Sequence, residues 1–357
     1  MKILYAGTLS PHATVVHRQW ALERLGHRVV PVDVGAYASK NPLLQKLAFH
    51  LSVGQGIDRF NRDVLRIARD ERPDLFWGDK MLWLRPSTLE ALRAMGIALV
   101  SYLIDNPFGE RGDPGWRLYL RSIPLYDLHV VQRDGNIAEY SQHGARDVLK
   151  IQTAYEPTLH FPPPSEWMDQ DRSREVSFIG TPYDDRAAVL TRLWRSEGFA
   201  VSINGSQRPW RRALDAEAFA ALYRMQELYG EAYREAIWQS KINLSFITHS
   251  NHDEFAHKSF EIAGCGGFLL AERSAGHAQR FAEDEEAVFF SSFEELSAKI
   301  RRYLPDEAAR ARIAAAGRAR AVRDGYDNDR QVGLVMERAV RIVEALRNGR
   351  TPASLAR

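Results

Sequence analysis

Met1-Lys2-Ile3-Leu4-Tyr5-Ala6-Gly7-Thr8-Leu9-Ser10 opens the chain, and with the residues up to Val32 it decides the fold. Ile3 to Ala6 is a short apolar run that ends at Gly7. A helical spacing of apolar residues then runs from about His12 to Leu25 and stops at Gly26, and Val29 to Val32 is a second apolar run. Strand, helix, strand is the unit from which a parallel sheet is built, because parallel neighbours need a crossover long enough to hold a helix.

Working outward, the alternation continues. Strands are expected at Asp74–Trp77, Ala98–Ile104 and Leu128–Val131, with helices at Ile57–Asp70, Ser87–Met95 and Asn136–His143. Periodicity fails from Thr153 to Arg174, a stretch that contains Pro162-Pro163-Pro164. It then resumes with strands at Val176–Ile179, Ala200–Ile203, Ile242–Phe246, Gly267–Leu270 and Val288–Phe290. The tail from Glu294 onward is helical, with Val332, Val335, Ala339 and Ile342 on one face. The expected organisation is α/β, two tandem Rossmann-like domains. Residues 1–155 form the first, 156–175 a linker, 176–330 the second and 331–357 a C-terminal helix.

Composition sets the outer bounds. The 357 residues suit two domains, and 45% apolar with 26% charged residues is an ordinary globular balance. A net charge of +2 leaves no basic footprint for nucleic acid. Cys265 is the one cysteine, which rules out an intrachain disulfide and fits a reducing cytoplasm. No apolar run approaches the ~18 residues of a membrane span, and the N-terminal run is too brief for a signal peptide.

In a doubly wound sheet, ligands sit beyond the carboxyl ends of the strands, so the loops that follow strands are searched first. Gly7-Thr8-Leu9-Ser10 lacks the full dinucleotide fingerprint, and Asp33 at the end of the second strand adds little without it. Asp105-Asn106-Pro107 caps a turn or places a carboxylate at the mouth of a cleft. Gly180-Thr181-Pro182-Tyr183-Asp184-Asp185-Arg186 leads into a helix whose N-terminus suits phosphate, with Arg186 either facing an anion or paired with Asp184 or Asp185. Asn251 to Glu261 packs Asp253, Glu254, His252, His257, Lys258 and Glu261 around a helix start near Phe255, and Lys258 and Glu261 share one face. A cation for phosphate beside a carboxylate for sugar hydroxyls matches a nucleotide-diphosphate sugar. Asp327-Asn328-Asp329 is a helix cap before it is a metal motif, and His249, His252 and His257 lack a standard zinc spacing. Cys265 is a packed thiol. The segment Asn41 to Arg62, with Leu43, Leu44, Leu47 and Leu51 beside Lys40, Lys46 and Arg59, is expected to be a core helix, its alternative being a cover over the cleft or contact with a lipid-linked acceptor.

Glu261-Ile262-Ala263-Gly264-Cys265-Gly266-Gly267-Phe268-Leu269-Leu270 resembles the C-terminal domain signature of GT-B glycosyltransferases. Lys258-Ser259-Phe260-Glu261 is most similar to the CgeB-like branch, near the retaining family 4 enzymes, and Phe281 to Leu296 and Tyr326 to Arg330 resemble the same branch. The likeness is dense over residues 176–330 and thinner over 1–160. It implies a donor cleft between the two domains, a nucleoside-diphosphate sugar as donor, and transfer to an acceptor hydroxyl in bacterial glycan or glycoconjugate synthesis. It implies retention of configuration and no cofactor or obligatory metal.

On matching positions, the resemblance places Glu261 on the donor ribose, Arg186 and Lys258 on the diphosphate, and the backbone of Phe255 and Ala256 around phosphate. Gly180 lies in the donor loop and Gly205 under the nucleobase. Asp253 stands where the family has the first of two Glu, one methylene shorter, and Thr181 replaces an Arg. Asp253 and Lys258 are the catalytic candidates, with Asp105 as the base of an inverting reaction. Gly7, Thr8 and Ser10 face the acceptor, which the resemblance implies is a glycan, a lipid-linked molecule or a protein. Two rivals share the architecture: a nucleotide-sugar epimerase, and a protein that binds the nucleotide sugar without turnover.

Overall fold

The computed structural model describes residues 1–109, 114–225 and 227–349. The chain divides into two compact units, residues 1–153 with 328–357, and residues 154–327. The stretch expected as a linker lies within the second unit, and the chain returns to the first at Asn328.

In the first unit the elements run β1 (Lys2–Gly7), α1 (Thr14–Arg24), β2 (Arg28–Asp33), α2 (Pro42–Leu51), α3 (Gln55–Glu71), β3 (Leu75–Asp79), α4 (Pro86–Ala94), β4 (Ala98–Tyr102), α5 (Arg117–Ser122), β5 (Leu128–Val131), α6 (Asp134–Gln142) and β6 (Val148–Lys150). The six strands are parallel in the order β2-β1-β3-β4-β5-β6. The second unit holds β7 (Arg174–Ile179), α7 (Arg186–Arg195), β8 (Val201–Asn204), α8 (Gln207–Ala213), α9 (Ala216–Leu222), β9 (Tyr223–Met225), α10 (Gly230–Trp238), β10 (Ser240–Ser245), α11 (His257–Gly264), β11 (Leu269–Glu272), α12 (Ala275–Arg280), β12 (Val288–Phe290), α13 (Phe293–Tyr303) and α14 (Glu307–Arg323). Its parallel sheet is ordered β12-β11-β10-β7-β8-β9. The final helix, α15 (Asn328–Arg347), belongs to the first unit.

Both sheets are covered on two faces, which is why the central strands are continuous apolar runs. In β1, Ile3 and Tyr5 join Trp77, Val100, Leu22 of α1 and Val335, Ala339 and Ile342 of α15 in one buried cluster. Leu4 and Ala6 point the other way, toward Phe60 and Val64 of α3 and Leu89 and Leu92 of α4. The second unit repeats the scheme, with α7, α9 and α13 on one face and α10, α11 and part of α14 on the other. Residues 154–167 pack into that second layer: Glu156 and His160 are buried, and Phe161 and Trp167 each meet the Trp238 ring at 5.8 Å.

The segment from Asn41 to Arg62 departs from expectation. It is two helices, and only α3 is a core helix. Asn41 caps α2 by accepting from the Leu43 N–H at 2.9 Å, and Ser52 ends it in the left-handed region at φ 55. None of the α2 residues is buried. The local signals for a helix are all there, but the sheet face beneath is already filled by α3 and α4.

Candidate functional site

Sheet order locates the sites. In the second unit the strands, renumbered from β7, follow the order 6-5-4-1-2-3, so the winding reverses between β7 and β10, and the crevice beyond their carboxyl ends is the expected ligand position. A cavity of about 350 Å³ lies there, lined by the exit of β7 (Gly180, Thr181), the turn after β8 (Gly205, Ser206), the exit of β10 (Phe246, Thr248) and the start of α11. That volume falls at the small end of ligand sites, about 300–1,000 Å³.

The floor is held by two glycines. A Cβ on Gly205 would lie 2.1 Å from the Gly180 carbonyl oxygen and 2.6 Å from Trp210 Nε1. Trp210 Nε1 donates to that same carbonyl at 2.8 Å, so the two turns close on each other only if position 205 has no side chain.

The cations converge from opposite walls. Arg186 opens α7 and is only 6% exposed. It does not turn to Asp184 or Asp185: it donates to the carbonyls of Ile247 at 2.8 Å and Thr181 at 3.3 Å and to Thr248 Oγ1 at 3.0 Å, pinning the β10 exit, while its Nε is buried without a hydrogen-bond partner. Burial lowers its guanidinium against the pull of Asp184, Glu272 and Asp253. Lys258 rises from the first turn of α11, and its Nζ sits 4.9 Å above the Tyr233 ring. Burial lowers its ammonium too; Glu261 counters this and Arg186 adds to it. Two depressed cations and a helix N-terminus around one cavity form a site whose charge an anion would stabilise.

Glu261 stands behind this wall. Tyr233 donates to its Oε2 at 2.5 Å, His257 Nε2 lies 3.1 Å from Oε1 and His160 Nε2 lies 3.8 Å away. Burial alone would raise this carboxyl, yet His257, His160 and Lys258 hold it well below the usual carboxylate range. His160 itself is pushed down to about 4 by burial. Lys258 and Glu261 therefore share one face but meet through Tyr233 between them. Another histidine fixes the start of α11: His277 Nδ1 donates to the Glu272 carbonyl at 2.8 Å, leaving Nε2 to accept from the Ala256 N–H at 3.2 Å, with Ser259 Oγ 2.9 Å from the same nitrogen. Burial pushes His277 down to about 4, so it is neutral in this role.

The structure thus gathers Gly180, Arg186, Gly205, Asp253, Ala256 and Lys258 around one cavity. Asp253 accepts from Asn251 Nδ2 at 2.9 Å. Phe255 is buried beside it, its ring 5.5 Å from Phe260. The histidines considered for zinc go separate ways, His249 to Glu272 at 2.7 Å and His257 to Glu261. Cys265 is buried and its thiol is pushed well up by burial. Sequence reasoning missed Tyr233, His160 and His277, which reach the site from elements with no motif of their own.

In the first unit the winding reverses between β1 and β3. The loop after β1 presents Thr8 and Ser10 to solvent, while Gly7 is buried where a Cβ would come within 2.4 Å of Val15 Cγ1. Asp33 anchors this loop by accepting from the Leu9 N–H at 2.9 Å. Asp105 is ion-paired with Lys80.

Residues 186–337 match the family model described as glycosyl transferase-like. The chain superposes on the sucrose-phosphate synthase of Thermosynechococcus elongatus over 97% of its own length and 99% of that chain, with a TM-score of 0.68 and 12% identity. The fold is GT-B. A second GT-B likeness is to HepE of Anabaena in complex with UDP-glucose, with a TM-score of 0.64 at 13% identity over 94% of this chain and 99% of that one. A third is to the E. coli structure described as trehalose-6-phosphate bound with UDP-2-fluoro glucose, with a TM-score of 0.64 at 14% identity over 95% and 99%. No curated protein sequence matches. Among the described residues, no helix of this GT-B chain is long and apolar enough to cross a membrane.

Proposed function

We propose that the chain is a glycosyltransferase of the CgeB-like branch, near family 4, that moves a sugar from a nucleoside-diphosphate sugar to an acceptor hydroxyl. The observation that carries this reading is the cavity at the β7/β10 reversal, where Arg186, Lys258 and the first turn of α11 surround one space. The glycosyl transferase-like match over 186–337 covers those residues, and the similar GT-B structure of HepE holds UDP-glucose.

The diphosphate lies against the start of α11, with Lys258 and Arg186 as its two cations. Charge that builds on the leaving phosphate as the glycosidic bond breaks is met by groups already in place, and such preorganised electrostatics supply the largest share of many enzymes' rate. The nucleobase lies by Gly205, and Glu261 orients the ribose side through the Tyr233 and His257 contacts. Asp253 positions the transferred sugar. The reaction retains configuration and calls for no obligatory metal. Asp105, held by Lys80, is the base only if the outcome is inversion. The acceptor meets Gly7, Thr8 and Ser10. The protein works in the cytoplasm, in bacterial glycan or glycoconjugate synthesis.

The test is a thermal-shift screen of the full chain against nucleoside diphosphates, followed by diphosphate release from a panel of nucleotide sugars with and without acceptors. Stabilisation by one diphosphate, release that depends on acceptor, and loss of both in Lys258→Ala are expected. Release of free sugar without acceptor would indicate an epimerase, and binding with no turnover under any condition a binding protein; either overturns the transferase reading.

A further inference from the structure

A cavity of about 970 Å³ lies in the first unit, between α2 and the start of α3. Its wall is mainly apolar, with Leu44, Leu47, Phe49, Val53 and Trp83, and it carries Lys46 and Arg59 but no acidic residue. The apolar exposure extends past the groove. Leu43 is 65% exposed and Leu51 49%, and neither lines the cavity. Soluble surfaces seldom gather this many large apolar side chains in one place.

Charge follows the same pattern. No Asp or Glu occurs from Val34 to Ile57, while Lys40 and Lys46 do. Along α3, Arg59 and Arg62 are exposed, and the nearest acids are engaged, Asp58 with Arg85 and Asp63 with Tyr37 and Arg66. An exposed leucine stripe flanked by cations that form no ion pair among the described residues is complementary to a surface that is apolar inside and anionic at its rim.

We propose that α2 and the groove behind it dock the protein on an anionic lipid bilayer, with the leucines in the headgroup and acyl boundary and Lys40, Lys46, Arg59 and Arg62 at the lipid phosphates. A single amphiphile in the groove would cover Leu44, Leu47 and Phe49 but leave Leu43 and Leu51 in water; a bilayer covers all five. A second copy of the chain, docked by two-fold symmetry, would set these cations against their own equivalents. The proposal stands whether or not the chain transfers sugar.

The test is flotation of the full chain with two kinds of vesicle, phosphatidylcholine alone and equal parts phosphatidylcholine and phosphatidylglycerol. Binding to the mixed vesicles is expected, weakened about a hundredfold by the Lys40→Glu, Lys46→Glu, Arg59→Glu triple variant and abolished by Leu43→Ser with Leu51→Ser. All five side chains are exposed, so circular dichroism should show both variants folded. No binding to either vesicle, equal binding to both, or unchanged binding by the Leu43/Leu51 variant would overturn the proposal. So would dimerisation that the Leu43/Leu51 variant dissolves.

Discussion

At residue scale, the cavity at the β7/β10 reversal depends on what is missing at position 205. Gly205→Ala would push a methyl group into the Gly180 carbonyl at 2.1 Å and into the Trp210 bond that braces both turns. Overpacking of this kind costs ~1–3 kcal/mol. A lower urea midpoint together with lost diphosphate stabilisation is expected, and a variant that keeps wild-type stability would show that the two turns can part without harm. Tyr233→Phe asks a different question. It removes the donor at 2.5 Å from a buried, ionised Glu261, and a hydrogen bond to a charged group contributes ~1.5–3 kcal/mol. Loss of that order in chemical denaturation, with Glu261 left ionised by His257, is the expected result. Lys258 and Glu261 were legible as candidates because helix spacing put them on one face, whereas Tyr233 lies 28 positions from Glu261 and only the packing of α10 on α11 brings its hydroxyl there.

At the scale of elements, legibility followed burial. β1, β3 and β4 are covered on both faces and announce themselves as unbroken apolar runs, and the three buried residues of the edge strand β12 register too, while β6, only half-buried at its edge, and the short edge strand β9 carry too little apolar pattern. α2 misled for the opposite reason, its leucines spaced like those of a core helix although no core receives them. α15 shows how differently one helix can be attached at two points. Ile342 is 1% exposed within the first unit's core, whereas Asp329 at the helix start pairs with Arg24 on α1 at an exposed position. Ile342→Ala should cost ~2–5 kcal/mol through lost transfer energy and a residual cavity. Arg24→Ala should cost under ~1 kcal/mol, because exposed ion pairs are worth little. Urea titration of the two variants checks the ratio; comparable losses would mean that α15 is held by its charges and not by its apolar face.

At the scale of the whole molecule, acid should loosen both units through buried histidines. His129 in the first unit, and His160 and His277 in the second, are each pushed down to about 4 by burial, from about 6.5 in the unfolded chain. Between those values the unfolded state holds a proton on each that the folded state does not, so stability rises with pH there. Their contribution is complete above about 6.5, falls as the pH drops toward 4, and is flat below it. Glu261 works in the same sense, but its carboxyl is held so low that its share is lost only in stronger acid. Asp127 opposes them: burial raises its carboxyl against Arg93, so acid favours its folded form. Three histidines against one such carboxyl leave a net fall in thermal midpoint from pH 7 to pH 4.5. The His277→Gln variant should begin less stable at pH 7, having lost the imidazole that receives the Ala256 N–H, and should show a shallower fall with acid. An equally steep slope in that variant would remove His277 from the account and leave the acid response to His129 and His160.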